Sequence, residues 1–161
     1  MPVIVGVPTT ETIDDLLDAL AEIRADTGSL VQVVDASRIV GEAHLERAAE
    51  LALRAHERNE GIADDTSMEC LLYAAGTRQI DQAMHLGISS VDTSAAIVVS
   101  GGGGAEAIDR VSALITDTEH PEPDQEWIRE WYDITDAELA ATEASLTDLV
   151  LERVVLLDVN K

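Results

Sequence analysis

Three short runs rich in β-branched residues frame this chain: PVIVGV at 2–7, LVQVV at 30–34 and AAIVV at 95–99. Runs of this length and composition read as strands. Three consecutive helical patterns fall between the second and the third, which argues against the regular alternation of a doubly wound sheet. Ile13, Leu16, Leu17, Leu20 and Ile23 form the apolar stripe of a first helix, entered at Thr9 or Thr10 and ended by Thr27-Gly28-Ser29. A second helix runs from about Glu42 to Asn59. Asp64, Asp65 and Thr66 offer caps for a third, in which Met68, Leu71, Leu72 and Ala75 share one buried face while Glu69 and Tyr73 fall opposite. Gly76 closes that helix and Thr77 caps the next, which reaches about Leu86.

After the third strand a glycine run, 101–104, leads into a helix over Ala105 to Ile115. A polar, proline-bearing loop follows. Trp127 to Ile134 suits either a strand or a helix, with a fourth strand at its end preferred, and a final helical region runs from Thr135-Asp136 to about Leu157. The expected order is β-α-β-α-α-α-β-α-β-α. The chain reads as one α/β domain, residues 1–161, with a mixed sheet of about four strands packed against about six helices.

The 161 residues carry 32 Asp and Glu against 10 Lys and Arg, a formal charge of −22, and Lys161 is the only lysine. The acid is spread along the chain, whereas a disordered tail would concentrate it. Self-repulsion on this scale strains a fold in dilute buffer. At 1 M salt the Debye length is about 3 Å and the repulsion is screened. The pattern therefore predicts a surface adapted to molar salt, as in salt-accumulating archaea; an acidic partner-binding surface is the rival reading. Aromatic residues are 2% and Phe is absent, so the core must be built from Ala, Leu, Val and Ile. Cys70 is the only cysteine, which excludes an internal disulfide. No signal peptide or membrane-length apolar run is visible, so a soluble, cytoplasmic protein is expected.

Catalytic patterns are weak. IVVSGGGGAEAIDR has the strand–glycine–helix context of a phosphate cradle but lacks the Gly-Lys-Ser/Thr that would complete it. A flexible turn is the better reading of Gly101–Gly104, and a small metabolite- or nucleotide-binding enzyme using that loop is the alternative. His44, His56, His85 and His120 share no metal spacing with Cys70, and there is no Gly-x-Ser-x-Gly elbow. No cofactor, metal or catalytic residue is expected. The start of the helix after Gly76 is the remaining candidate: free backbone N–H groups and a forked guanidinium at Arg78 suit phosphate or carboxylate. Plain capping by Thr77 and Gln79 explains the same residues without a ligand.

MECLLYAAGTRQIDQAMHLGI, residues 68–88, resembles the signature of the smallest, tRNA-binding subunit of the KEOPS complex, whose eukaryotic relative binds the atypical kinase PRPK. Glu69, Leu71-Leu72, Ala75-Gly76, Gln79-Ile80, Ala83 and Gly87 carry the match, joined by Asp35, Ala36, Val40, His44, Leu45 and Ala48. It is good over about residues 30–100. Ala75 stands where the family often has Ser, and acid replaces several of its basic residues. The resemblance implies a mixed α/β fold and a subunit that is not itself an enzyme. It implies binding to the atypical kinase subunit and to the CCA end of tRNA, with the other KEOPS subunits engaged indirectly. The complex installs threonylcarbamoyl on adenosine beside the anticodon. On that basis Gly76, Thr77, Arg78, Gln79, Tyr73 and Arg38 are expected to contact tRNA. The final segment LTDLVLERVVLLDV is apolar nearly all round. It is therefore either fully buried, the preferred reading, or covered by a partner at Leu151, Val155 and Leu156.

Overall fold

A computed structural model describes residues 2–63, 65–141 and 145–160. Its elements are β1 (Val3–Pro8), α1 (Ile13–Thr27), β2 (Leu30–Asp35), α2 (Glu42–Glu57), α3 (Thr66–Ala75), α4 (Ile80–Ala83), β3 (Ala95–Ser100), α5 (Gly104–Ser112), β4 (Ile115–Asp117), α6 (Gln125–Trp131), α7 (Asp136–Ala141) and α8 (Leu146–Asn160). The strands form one sheet in the order β2-β3-β1-β4. The expected four-stranded α/β architecture stands, with antiparallel pairing at every neighbour. β1 and β2 run the same way, but β3 lies between them, so no parallel neighbours arise. With α1 and α5 as crossovers this is a split β-α-β-β-α-β arrangement, into which α2, α3 and α4 are inserted between β2 and β3.

Side-chain alternation gives the sheet two covered faces. Val5, Leu30, Val34, Ala96 and Val98 join the core under α2, α3 and α8. Val31, Val33, Ala95, Ile97 and Val99 meet Leu16, Leu20 and Ile23 of α1 and Ala107 and Val111 of α5. Burial on both faces is why these strands read as nearly unbroken apolar runs. Side chains also close the edge strand β2. Val31 N donates to Ser67 Oγ at 3.1 Å, Gln32 Nε2 to Ser67 O at 2.8 Å, and Arg24 to Val31 O at 2.7 Å. That occupies an edge otherwise open to another strand.

Several expectations are corrected. Thr12, not Thr9 or Thr10, caps α1, accepting from Asp15 N at 3.1 Å. The fourth strand is Ile115–Asp117, paired with Gly6–Pro8, in place of one near Ile134. Residues Gln125–Trp131 are a helix because Asp124 caps it, accepting from Trp127 N at 3.1 Å. The final helical region is two helices, α7 and α8, and the expectation of helix across 142–144 lies outside the described residues, as does the cap offered at Asp64. Asp65 does cap α3, accepting from Ser67 N at 2.9 Å. No helix among the described residues is long and apolar enough to cross a membrane.

The face of α3 carrying Glu69 and Tyr73 is buried as fully as the face carrying Leu72. The sequence pattern assigned only one side to the core. The polar groups are accommodated internally: Glu69 accepts from Ile62 N at 2.8 Å and Ala63 N at 2.6 Å, and Tyr73 donates to Asp158 at 2.6 Å.

Candidate functional site

The site grows from the end of α3. Gly76 takes the left-handed conformation at φ 67°, its N–H bonds Tyr73 O at 3.1 Å, and Thr77 N bonds Leu72 O at 3.2 Å. These bonds satisfy the last carbonyls of the helix and turn the chain outward. Thr77 Oγ then accepts from Gln79 N at 3.2 Å and donates to Gln82 at 3.3 Å. The expected helix to Leu86 is one α turn, Ile80–Ala83, followed by a 3-10 turn, Met84–Leu86. So short an element has no useful macrodipole, so any affinity of Arg78 for an anion rests on its own charge. Arg78 and Gln79 are exposed, and among the described residues no hydrogen bond or ion pair holds the Arg78 guanidinium.

Behind the turn lies a buried polar lock. His44 Nδ1 accepts from Val40 N at 3.2 Å, so the ring proton is on Nε2, which donates to Ala74 O at 2.8 Å. The Tyr132 hydroxyl donates to the same carbonyl. Burial pushes the His44 pKa from 6.5 down to about 4 and holds the ring neutral, and it raises the Tyr132 hydroxyl. Trp131 Nε1 donates to Ala75 O at 2.9 Å. Side chains of α2 and α6 thus fix two successive carbonyls at the point where α3 breaks.

Trp131 belongs to a stacked column. Its ring lies 5.2 Å from Trp127 with the planes 7° apart, and the Arg38 guanidinium sits 4.6 Å above Trp127. Arg38 also donates to His85 O, and the His85 ring is 6.0 Å from Trp131. Ala75, Gly76, Thr77, Gln82, His85 and Trp131 line a groove of about 460 Å³. The structure therefore gathers Gly76 and Thr77 at one groove with Arg78 and Gln79 beside it.

One expected contact is corrected. The Tyr73 ring is wholly buried and bonded to Asp158, so it offers no stacking face. Arg38 lies over Trp127, donates to His85 O and stands 3.8 Å from Asp35, and so braces the column. The sequence reading missed Trp131, His85 and Gln82. A signal was available: the chain has only two tryptophans, four residues apart, which places them on one helical face.

The outer face of α8 is a second feature. Leu149, Val150, Val154 and Leu157 are buried, and Leu151 and Val155 are half-buried. Leu156 is 41% and Val159 70% exposed. The preferred expectation of a fully buried helix is thus corrected: one face is core, and the open face sets Leu156 and Val159 among the exposed carboxylates of Asp148 and Glu152.

The glycine loop is a packing turn. Gly102 has φ 52°, and a Cβ there would lie 2.5 Å from Thr27 O. Gly103 N donates to Thr27 O at 2.8 Å, and Ser29 Oγ donates to Gly101 O at 2.8 Å. Burial raises the Cys70 thiol pKa, which keeps it an inert apolar residue. Among the described residues no cluster of His, Cys, Asp or Glu could hold a metal ion.

Comparison with known proteins adds one match: a family model described as "Kinase binding protein CGI-121" covers residues 9–158. No curated protein matches the chain.

Proposed function

The chain belongs to the CGI-121 family of kinase-binding proteins, the family of the small KEOPS subunit, and from that premise we propose that it is a non-catalytic adaptor in tRNA threonylcarbamoyladenosine modification. It captures the unpaired CCA end of tRNA and docks the atypical kinase subunit, and through that subunit it meets the rest of KEOPS. The observation that carries the RNA half is the groove beside Gly76. It joins an aromatic surface to neutral hydrogen-bonding groups at Thr77 and Gln82, and Arg78, next in the chain, is exposed and has no hydrogen bond or ion pair among the described residues. Single-stranded RNA is read by stacking and by base-edge hydrogen bonds, which these groups supply.

The kinase half is supported by α8, where Leu156 and Val159 are exposed and Leu151 and Val155 half-exposed beside the carboxylates of Asp148 and Glu152. An adaptor of this kind needs no nucleophile, and Gly101–Gly103 are held to Thr27 and Ser29 by hydrogen bonds of the turn. The test is equilibrium binding of tRNA in molar KCl, with and without its CCA end. Affinity that collapses when CCA is removed supports the reading; equal affinity for both RNAs overturns it.

A further inference from the structure

The outer edge of β2 is closed by side chains, yet nothing covers it. Two cavities flank it, of about 540 and about 230 Å³. Both are lined by Arg24, Asp65 and Ser67, so they form one continuous trough between α1 and α3. Its wall on α1 extends from Leu17 to Gly28, about 16 Å at the helical rise of about 1.5 Å per residue. Spread over that length, the two volumes give a cross-section of roughly 50 Å². That matches the envelope of an extended chain, about 5 by 10 Å, and is smaller than the roughly 80 Å² of a helix about 10 Å across. Strand addition is blocked. Val31 N already donates to Ser67 Oγ and Val33 N to Gln32 Oε1, and Val31 O accepts from Arg24. Recognition in the trough therefore falls to side chains.

The narrower cavity is apolar, lined by Leu17, Met68, Leu71, Met84 and Ile88, with Leu17 39% and Met84 53% exposed. Met68 and Met84 are two of the chain's three methionines, and flexible thioethers adapt to the apolar group that enters. Around it stand exposed carboxylates: Asp14 and Asp18 beside Leu17, and Asp81 on the turn leading to Met84. Where the cavities join, Arg24 gives one nitrogen to Val31 O, and Asp65 accepts from Ser67 N with one oxygen. The second guanidinium nitrogen and the second carboxylate oxygen hold no hydrogen bond among the described residues. They offer a donor and an acceptor, the complement of one peptide unit. We propose that the trough takes an extended segment of about five residues from a protein partner. One large apolar side chain fills the Leu17–Met84 pocket, the segment's backbone bonds Arg24 and Asp65, and arginine or lysine beside the anchor meets the acidic rim. A nucleic acid would face that rim with like charge, and a second copy of this chain has only 10 Lys and Arg to offer it.

The probe is a heptapeptide selected from a random library on the full chain in molar KCl, with counter-selection on Leu17→Glu. Selected peptides should share one large apolar residue flanked by Arg or Lys. In a protein with methyl-labelled methionine, the Met68 and Met84 signals should shift on binding. Met84→Glu should weaken the peptide roughly tenfold or more, the effect of losing one buried apolar side chain. Replacing the peptide's basic residues by Glu should abolish binding. The methyl shifts are read on the unaltered protein, so they decide the question even if a variant misfolds. Selected peptides that leave both methyl signals in place, or a consensus that is acidic or lacks an apolar anchor, overturn the proposal. Shifts produced by raising the protein concentration alone make a second copy the occupant and overturn it as well. Neither tRNA nor kinase enters these measurements, so their failure leaves the adaptor reading intact.

Discussion

Acidification tests the buried lock directly, because His44 has no room for a charge. Its ring is fully buried, takes a hydrogen bond from Val40 N on one nitrogen and gives one to Ala74 O from the other. A proton added at Nδ1 would confront the Val40 N–H and lose that bond. The folded-state pKa is about 4 against 6.5 for the free side chain. The unfolded chain therefore binds the proton first, and stability is lost as pH falls from about 6.5 to about 4. The interval corresponds to about 3 kcal/mol, an order-of-magnitude figure. Denaturant unfolding in molar KCl, from pH 7 to pH 4, measures it. Carboxylates also titrate in this window, so the quantity to follow is the stability difference between wild type and His44→Gln. That difference should shrink by about 3 kcal/mol on acidification. A difference that is flat with pH would mean that His44 titrates normally and that the lock behind Ala74 is not as described.

Other outcomes follow from the same geometry. With −22 to screen, the melting temperature should rise steeply from dilute buffer to molar KCl, and a flat response would remove the salt-adapted reading of the surface. Gly102→Ala should cost roughly 1–3 kcal/mol, since φ is 52° and the added Cβ meets Thr27 O, whereas Gly104→Ala, which faces open space, should be close to neutral; chemical denaturation of both variants checks this. Arg78→Ala should leave the fold unchanged and lower tRNA affinity about tenfold or more, the value of a charge-assisted hydrogen bond. The loss should disappear for tRNA without CCA, and an equal loss with both RNAs would place Arg78 elsewhere on the tRNA.

Much of the fold was legible because its signals are local. The three long strands announce themselves by β-branched runs, and the Gly28 and Gly76 helix ends by glycine at a left-handed position. β4 was not legible. Ile115–Asp117 offers one buried side chain and is a strand only because Gly6–Pro8 lies beside it. α6 stayed ambiguous because its tryptophans suit a strand as well as a helix, and the Asp124 cap is a single residue at the end of a polar loop. The Gly76 turn was legible in the sequence, but the side chains that surround it were not. Trp131 and His85 are 46 residues apart in the chain, and nothing local joins them. Tyr73 shows the converse error. A polar aromatic on the face opposite Met68 and Leu72 looks available, yet α8 covers it and Asp158 takes its hydroxyl.

The central claim is simultaneous engagement: RNA at the Gly76 groove, kinase at the outer face of α8. The most direct measurement is sedimentation of this chain with the atypical kinase subunit and tRNA in molar KCl. One ternary species is expected. Removing CCA should release the RNA alone. Leu156→Glu, an exposed change that costs the fold about 0.5 kcal/mol at most, should release the kinase alone. Mutual exclusion of tRNA and kinase, or loss of both partners from either single change, would contradict it.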